Sequence, residues 1–347
     1  MGKYSLDGYE RYPVIRCRPQ ETGEPVEGAG IRRFQTVRLR LGQLPELTQK
    51  TLLLLSVGQE ETAHMAEAES ALRSLAAAYC RHPLVLGVTV ETAGSGAAKR
   101  RLWETAAEAF APKRLFIPIQ DGEQLDYALK HGFAGGILAR IGKNPYDTCE
   151  AFAEQQAQQL FKRMPVLVSA EGCAPPAAAA FARQWHAAAT ENIPDALAGW
   201  RIALRRLVYP RALSSGGFAP LQFWWTNQGP SFFHGPAEVR LRMVGEKGAY
   251  PIALQDKPDR IPLADRVHNE IARLPETPVG DYRLEYGIFD GEGNALTLCH
   301  HGRTADGYYP ADVMHIDDTP RPEYQHIWDD YSPDGYYPLE DPKVPGT

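Results

Sequence analysis

The chain has 347 residues and a formal net charge of −6, and 44% of its residues are hydrophobic. This length exceeds one ordinary domain, so we predict two, and the composition is that of a folded globular protein rather than a disordered, fibrous or coiled-coil one. The acidic balance and the absence of a long basic run in the sequence argue against DNA or RNA as a partner.

The cysteines and the N-terminal segment indicate the compartment. The five cysteines are widely spaced and none forms the C-x-x-C pair of zinc or redox sites, which favours reduced thiols. The N-terminus lacks the basic-then-apolar order of a signal peptide, and apolar runs such as 52–55 are too short to cross a bilayer. We therefore expect a cytoplasmic protein with no membrane partner, or a secreted one if a leader has been removed.

The first half of the chain alternates short apolar runs with helix-length segments, which is typical of β/α units in a parallel sheet. The predicted strands are 32–42, 51–57, 83–90, 114–119, 133–141 and 165–170. The predicted helices, rich in good helix formers, are 66–79, 97–110, 123–131, 147–163 and 175–189. A complete (β/α)₈ barrel takes about 250 residues, so we expect residues 1–198 to form a TIM (β/α) barrel that is degenerate or shortened on its N-terminal side.

From residue 199 onward the pattern changes to short β-rich runs separated by Gly, Pro and Asn. Apolar and polar residues alternate over 239–243, which indicates one buried and one solvated sheet face. These features predict an immunoglobulin-like antiparallel β-sandwich over 199–316, so the fold class is α/β plus all-β. Residues 317–347 form an acidic tail rich in Pro and Tyr, without a helical or strand period.

Two of the predicted parallel strands end in glutamate. Glu91 follows the strand at 83–90, and Glu171 follows the strand three β/α units later. The carboxyl ends of barrel strands meet over a common cavity, where two carboxylates about 5–5.5 Å apart hydrolyse a glycosidic bond with retention, one as proton donor and one as nucleophile. Acidic residues at such positions also interact with the N-terminus of the next helix, and that interpretation stays open.

Two further residues are candidates for substrate binding. Arg40 lies near the end of the strand at 32–42, within reach of a substrate hydroxyl or a catalytic carboxylate, although a solvated edge fits equally well. Trp224 and Trp225 are neighbours on one strand and so point to opposite faces; we assign Trp225 as a stacking platform for a sugar ring, with packing in the core as the alternative.

No metal or other cofactor is predicted. The adjacent residues His300 and His301 face opposite ways on a strand, so they cannot readily bind one ion together. The segment 94–101 lacks the residue order of a phosphate-binding loop. The tripeptide Asp-Gly-Tyr recurs at 7–9, 306–308 and 334–336 and predicts a turn with glycine at positive φ, with sugar stacking by the tyrosine as the alternative.

The second half of the chain resembles a known bacterial family. The segments WRIALRRLVYPRALSSGGFAPLQFWWTNQGPSFFHGPAEVRLRMVG and VGDYRLEYGIFDGEGNALTLCHHGRTADGYYPADV are similar to the C-terminal sandwich of the domain of unknown function 4832 family. In that family the sandwich follows a barrel resembling the family 42 β-galactosidases, whose clan has catalytic glutamates after strands four and seven. The resemblance implies that Glu91 is the acid/base and Glu171 the nucleophile. Val90 stands where the clan has asparagine.

The sequence therefore predicts a carbohydrate-active protein that resembles retaining glycoside hydrolases and uses a two-glutamate mechanism. Its partner would be an oligosaccharide, a polysaccharide or a glycoside. Two alternatives remain open. One is a catalytically inactive carbohydrate-binding relative, and the other is a structural or assembly protein that uses the sandwich and the tail.

Overall fold

The structure is a computed structural model that describes residues 14–17, 33–39, 46–58, 64–93, 96–111, 114–193, 198–210 and 212–318. The chain divides into two compact units. The first, here called the α/β unit, comprises Ile31–Trp200 and Gly229–His234. The second, here called the β unit, comprises Met1–Gly30, Arg201–Gln228 and Gly235–Thr347.

Part of the predicted organisation falls outside the described residues. This applies to the acidic tail beyond Asp318 and to the Asp-Gly-Tyr segments at 7–9 and 334–336. Among the helices that the structure does describe, none has the length and apolar character needed to cross a bilayer.

A curled sheet of seven described parallel strands forms the centre of the α/β unit, and the strands are paired in the order in which they occur along the chain. The strands are β2 (Gln35–Leu39), β3 (Thr51–Val57), β4 (Val85–Thr92), β5 (Arg114–Pro118), β6 (Gly136–Ile141), β7 (Val166–Ala170) and β8 (Ala187–Glu191). The described helices of this unit are α1 (Met65–Tyr79), α2 (Gly96–Ala109), α3 (Gly122–His131), α4 (Pro145–Glu154), α5 (Pro175–Gln184) and a 3₁₀ segment, Ala157–Lys162.

The curl of this sheet brings its two edges together. Neighbouring strands lie about 4.8 Å apart, so β2 and β8 would be about 29 Å apart in a flat sheet. Instead, the N–H of Phe34 donates to the carbonyl of Thr190 at 3.1 Å, and Arg33 and Thr190 form a parallel bridge. The sheet therefore has a concave face, which is lined by one connected apolar cluster of Phe34, Leu52, Phe116, Leu138, Leu167 and Ala189.

The prediction of a degenerate or shortened TIM (β/α) barrel is wrong, because the observed unit is a curled sheet with few helices. A (β/α)₈ barrel has eight strands, each followed by a helix, whereas this sheet has seven strands and the described part of the unit has five α-helices and one 3₁₀ segment. No helix is described between β2 and β3, which are 11 residues apart along the chain. The observed architecture is a curled parallel sheet with few helices.

The last strand of this sheet was also predicted incorrectly, as part of a helix over 175–189. Helix α5 ends at Gln184, and His186 then adopts a left-handed φ of 55°, which breaks the helix. The following run Ala187–Glu191 is β8. Alanine is the strongest helix former, but here its small side chain is buried on both faces of a sheet, so tertiary packing overrides helix propensity.

The β unit contains two sheets. Strands β1 (Val14–Cys17), β9 (Ile202–Pro210), β11 (Phe218–Asn227) and β16 (Ala264–Arg273) form an antiparallel sheet in the order β1-β9-β11-β16. The second sheet has the order β10-β18-β17-β13-β14, formed by β10 (Ala212–Ser214), β13 (Ala237–Gly245), β14 (Gly248–Ile252), β17 (Gly280–Asp290) and β18 (Tyr309–Asp317). Two short strands remain among the described residues: β12 (Phe233–His234) belongs to the α/β unit and β15 (Arg260–Ile261) to the β unit.

The predicted β-sandwich content is confirmed, but the sheets are not purely antiparallel, as the predicted immunoglobulin-like form requires. Strand β10 runs parallel to β18, which makes the five-stranded sheet mixed. Strand β1, from near the start of the chain, pairs with β9 and belongs to the four-stranded sheet. A strand so distant in sequence from its partner leaves no local signal, because only tertiary pairing defines it.

The described Asp-Gly-Tyr segment forms the predicted turn. Gly307 has φ of 89°, a conformation that favours glycine. Asp306 accepts hydrogen bonds from the guanidinium of Arg242 and from the hydroxyl of Thr304, the latter at 2.7 Å. These bonds, that from Arg242 first, lower the pKa of Asp306 from 3.8 to about 2. Arg242 also lies over the ring of Tyr308 at 3.8 Å, so the turn is fixed on strand β13.

This turn predicts a contribution to acid sensitivity. Because the folded pKa of Asp306 lies below its ordinary value, its stabilising effect is present above about pH 4 and is lost as the pH falls toward about 2. We expect Asp306→Asn to destabilise the protein at neutral pH, and the difference from the wild type to shrink on acidification. Urea unfolding between about pH 6 and pH 2 measures this.

A matched control is Asp312→Asn, because the carboxylate of Asp312 on β18 bonds to the N–H of Val313 at 2.9 Å rather than to a guanidinium. A stability difference between Asp306→Asn and the wild type that stays constant over the whole pH range would contradict the assignment.

Candidate functional site

The concave face of the parallel sheet carries polar side chains toward the carboxyl ends of its strands. Paired residues of neighbouring strands share a face, as do residues two apart along one strand. Since Leu52, Leu138 and Leu167 lie on the concave face, the register also places there Thr36, Arg38, Ser56, Thr89, Glu91, Arg140, Ser169 and Glu191. The alternation of side chains between the two faces of the sheet therefore places these polar residues together on the concave face.

Arg140 joins the two glutamates that the sequence singles out. Its Nη1 donates to a carboxylate oxygen of Glu91, and its Nε lies 3.8 Å from Oε1 of Glu171. Arg38 contacts the other oxygen of Glu91, with Nη2 at 3.3 Å. We call these four residues, Arg38, Glu91, Arg140 and Glu171, the strand-end cluster. Sequence reasoning predicted the two glutamates as candidates and missed Arg140.

The members of the strand-end cluster differ in their access to solvent. The side chain of Arg140 is 20% exposed, that of Glu91 32% and that of Glu171 60%. The guanidinium of Arg140 is thus the innermost charge and depends on the glutamates for compensation, because a partly buried charge is costly without a partner. Both carboxylates remain open to water and to a ligand.

Backbone contacts fix the position of Arg140. Its carbonyl accepts hydrogen bonds from Nε2 of Gln120 and from the hydroxyl of Thr148, both at 2.8 Å. Gln120 follows β5 and Thr148 lies in α4, so two neighbouring elements hold the end of β6. On the next strand, the N–H of Glu171 donates to the carbonyl of Ile141 at 2.7 Å, which continues the ladder beyond β7.

Glu171 lies at the start of a tight turn. The next residue, Gly172, has φ of 95°, a conformation that L-residues with side chains rarely adopt. The glycine therefore allows the chain to leave the sheet directly after the carboxylate. As a result, Glu171 is on the connection to α5, whereas Arg38, Glu91 and Arg140 are on strands.

A third glutamate on this face, Glu191, was missed because its strand was predicted as a helix. One carboxylate oxygen accepts from the hydroxyls of Thr36 and Ser169, each at 2.7 Å, and the other accepts from the N–H of Thr36. These bonds link β8 to β7 on one side and to β2 on the other. Glu191 thus stabilises the meeting of the two sheet edges, next to the bridge at Thr190.

Three polar groups on the same face have no hydrogen-bond partner among the described residues. They are the hydroxyl of Ser56, the hydroxyl of Thr89 and Nη2 of Arg140, and all three atoms are buried. Buried polar atoms are normally paired, so such a group calls for a ligand, a water molecule or another explanation.

The two predicted substrate-binding residues are not part of the strand-end cluster. Arg40 lies outside the described residues. Trp225 is only 1% exposed, and its ring packs against Phe223 and Tyr286 with centroids 6.2 and 5.9 Å away. A ring with no free face cannot stack on a sugar, so Trp225 is a core residue of the β unit, as the alternative interpretation had it.

The structure also locates the histidines that the sequence analysis considered. The buried side chain of His300 accepts a hydrogen bond from the N–H of Leu204 at 2.7 Å, so this ring nitrogen is used by the backbone. Among the residues that the structure describes, no group of three or more His, Cys, Asp or Glu side chains is placed to hold a metal ion.

The arrangement is suited to binding neutral polar molecules. Carboxylates accept hydrogen bonds from hydroxyl groups, and guanidinium groups donate to hydroxyl oxygens. A cluster that alternates the two on a concave face can therefore engage several hydroxyls of one ligand. For cleavage of a glycosidic bond it is less suited, because guanidinium groups of Arg140 and Arg38 already contact both carboxylate oxygens of Glu91.

Comparisons with known proteins identify no family. No family profile matches the chain, and no curated protein matches it. Among solved structures, the CARDB domain of a Pyrococcus furiosus protein, in complex with di-metal ions, is 14% identical, with a TM-score of 0.23, over 34% of this chain and 91% of that domain.

Other similar structures are glycoside hydrolases. A calcium-binding mutant of Bacteroides uniformis β-glucuronidase 2 is 9% identical with a TM-score of 0.32, and it aligns with 88% of this chain. A mutant β-glucosidase from Listeria innocua, in complex with laminaribiose, is 9% identical with a TM-score of 0.25 over 87% of this chain. The chain spans 48% of each enzyme. TM-scores in this range do not transfer an activity.

The bonds of Glu191 generate a stability prediction. Glu191→Ala would leave the N–H of Thr36 and the buried hydroxyl of Ser169 without this acceptor, and we expect a loss of about 2–4 kcal/mol in the free energy of unfolding. Urea unfolding measures this loss, and Glu154→Ala, on the exposed surface of α4, is the control. A Glu191→Ala protein as stable as the control would show that Glu191 does not hold the sheet edges together.

Proposed function

We propose that the chain binds a carbohydrate at the strand-end cluster of the α/β unit, without cleaving it. The observation that carries this proposal is the position of Arg140, whose guanidinium contacts both Glu91 and Glu171. Hydroxyl groups of a sugar donate to such carboxylates and accept from such a guanidinium, so a sugar ring matches the pattern of donors and acceptors.

Retaining hydrolysis is the second candidate function. It is favoured by the fact that both glutamates contact the same side chain, which brings their carboxyl groups to one place on the concave face. In that mechanism Glu91 would protonate the leaving oxygen and Glu171 would attack the anomeric carbon. Arg140 would have to release Glu91 first, because its Nη1 is bonded to a carboxylate oxygen of Glu91.

We include in this proposal the resemblance of residues 199–316 to the domain of unknown function 4832 family. Through that family, the chain would be related to the clan of the family 42 β-galactosidases. Val90 precedes Glu91 where that clan has asparagine. Val90 is 1% exposed and packs in the apolar core on the helix-covered face, so this position contributes no side chain to the strand-end cluster.

The test combines binding and turnover on the same preparations. Calorimetry with a panel of neutral oligosaccharides should give binding to the wild type, and we expect Glu91→Gln and Glu171→Gln to weaken it about tenfold, because each loses a charged hydrogen-bond acceptor. Aryl glycosides incubated with the wild type should release no phenol.

Two results would overturn the proposal. Absence of binding to every sugar in the panel would remove the carbohydrate function. Phenol release by the wild type that is lost in both Gln variants would show that the site hydrolyses glycosides, and the binding proposal would be wrong. A matched control is Glu150→Gln, a change of the same kind on helix α4, which should match the wild type in binding and stability.

A further inference from the structure

On the concave face, the polar groups that lack a hydrogen-bond partner among the described residues lie around the side chain of Glu91. Thr89 precedes Glu91 by two residues on β4, so both side chains point the same way. Ser56 is the residue paired with Glu91 across β3 and β4. Nη1 of Arg140 holds the Glu91 carboxylate, while Nη2 of the same guanidinium has no partner among the described residues. These groups lie on one face, around Glu91.

Burial distinguishes Thr89 from an ordinary surface hydroxyl. Thr89 is 0% exposed, and its hydroxyl has no hydrogen-bond partner within the described part of the chain. A buried hydroxyl without a hydrogen-bond partner destabilises the folded protein. A ligand that places a polar atom beside the Thr89 hydroxyl would remove this destabilisation. The unliganded protein therefore favours binding of a ligand with a polar group at this position.

The available hydrogen bonds define what the group must be. The hydroxyls of Thr89 and Ser56 both donate and accept, and the N–H groups of Arg140 only donate. A ligand hydroxyl satisfies this set, because it can accept from Arg140 and exchange a hydrogen bond with a threonine or serine hydroxyl. A ligand carboxylate would also accept from these donors, so charge must decide between the two.

The charge of the concave face favours a ligand hydroxyl over a ligand carboxylate. The concave face bears the carboxylates of Glu91, Glu171 and Glu191 and the guanidinium groups of Arg38 and Arg140. Among the described residues that the register places on this face, three carboxylates and two guanidinium groups leave one net negative charge, and both arginines are already bonded to a carboxylate. An anionic ligand group placed beside Glu91 would meet like charge in a partly buried site, where repulsion is poorly screened.

We propose that the site selects neutral sugars over the corresponding uronic acids, because one sugar hydroxyl enters a buried subsite formed by Thr89, Ser56 and Arg140. This inference rests on the proposed carbohydrate-binding function and specifies its ligand class. Thr89 is a binding residue in it, since its hydroxyl contacts the ligand.

The test uses two pairs of probes, methyl β-glucoside with methyl β-glucuronide and methyl β-galactoside with methyl β-galacturonide. Saturation-transfer NMR and calorimetry give their affinities for the intact chain. We expect the wild type to bind a neutral member at least about tenfold more tightly than its acidic counterpart, and Thr89→Val to lose about tenfold in affinity for the neutral sugar. Thr89→Ser, which retains the hydroxyl, should stay within about threefold of the wild type.

Thr92→Val is the matched control. Thr92 lies on the same strand, its hydroxyl is likewise buried without a partner in the described residues, and the register places it on the opposite, helix-covered face beside Val90. The affinities of the Thr92→Val protein for the four methyl glycosides should equal those of the wild type. Should Thr89→Val fail to fold, which thermal unfolding would reveal, Ser56→Ala provides the same readout with a smaller change.

The outcomes separate the two proposals. If the wild type binds no sugar of the oligosaccharide panel and neither member of either pair, the carbohydrate function and this inference both fail. Binding to the panel but to neither pair would overturn this inference alone. If it binds sugars but Thr89→Val and Ser56→Ala bind as the wild type does, the subsite holds only solvent and this inference alone fails. Equal affinity for a neutral sugar and its uronic acid would also overturn it.

Discussion

A guanidinium held between two carboxylates is the interaction on which the site depends. Arg140 is the most enclosed charge of the strand-end cluster, and its position on β6 places it between Glu91 on β4 and Glu171 after β7. Enclosing a charge is favourable only when partners compensate for lost hydration. The glutamates therefore stabilise the site as well as line it, and either role alone would explain why acidic residues stand at these strand ends.

The strands of the parallel sheet could be predicted from apolar runs, because a strand buried on both faces needs continuous hydrophobicity. The run at 51–57 is strand β3, and Glu91 and Glu171 lie at strand ends as predicted. The number of strands and the degree of closure could not be predicted, since they depend on the meeting of distant segments. The bridge between Arg33 and Thr190 joins residues that no local pattern relates.

Arg140 and Glu191 were missed because the sequence pattern that indicated each of them was weaker than a competing pattern in the same segment. Arg140 interrupts the apolar run of β6, and a charged residue within such a run is unusual enough to indicate a buried interaction. Glu191 ends a segment in which three alanines indicate a helix, and only the left-handed His186 shows where that helix must stop. The free hydroxyl of Thr89 has no sequence signal, because hydrogen bonding is a property of the folded neighbourhood.

The distribution of the site over strands and one connection has a consequence for recognition. Glu91, Thr89 and Arg140 are on β4 and β6, which pair with a neighbouring strand on each side, so their relative positions change little when a ligand arrives. Glu171 alone follows a strand end and precedes a glycine in a left-handed conformation. In the proposed carbohydrate binding, this rigid set of donors and acceptors would select a ligand by the spacing of its hydroxyls, and the single carboxylate on a connection would allow adjustment at the rim. Selectivity should therefore arise deep in the concave face, around Arg140, rather than at its exposed edge.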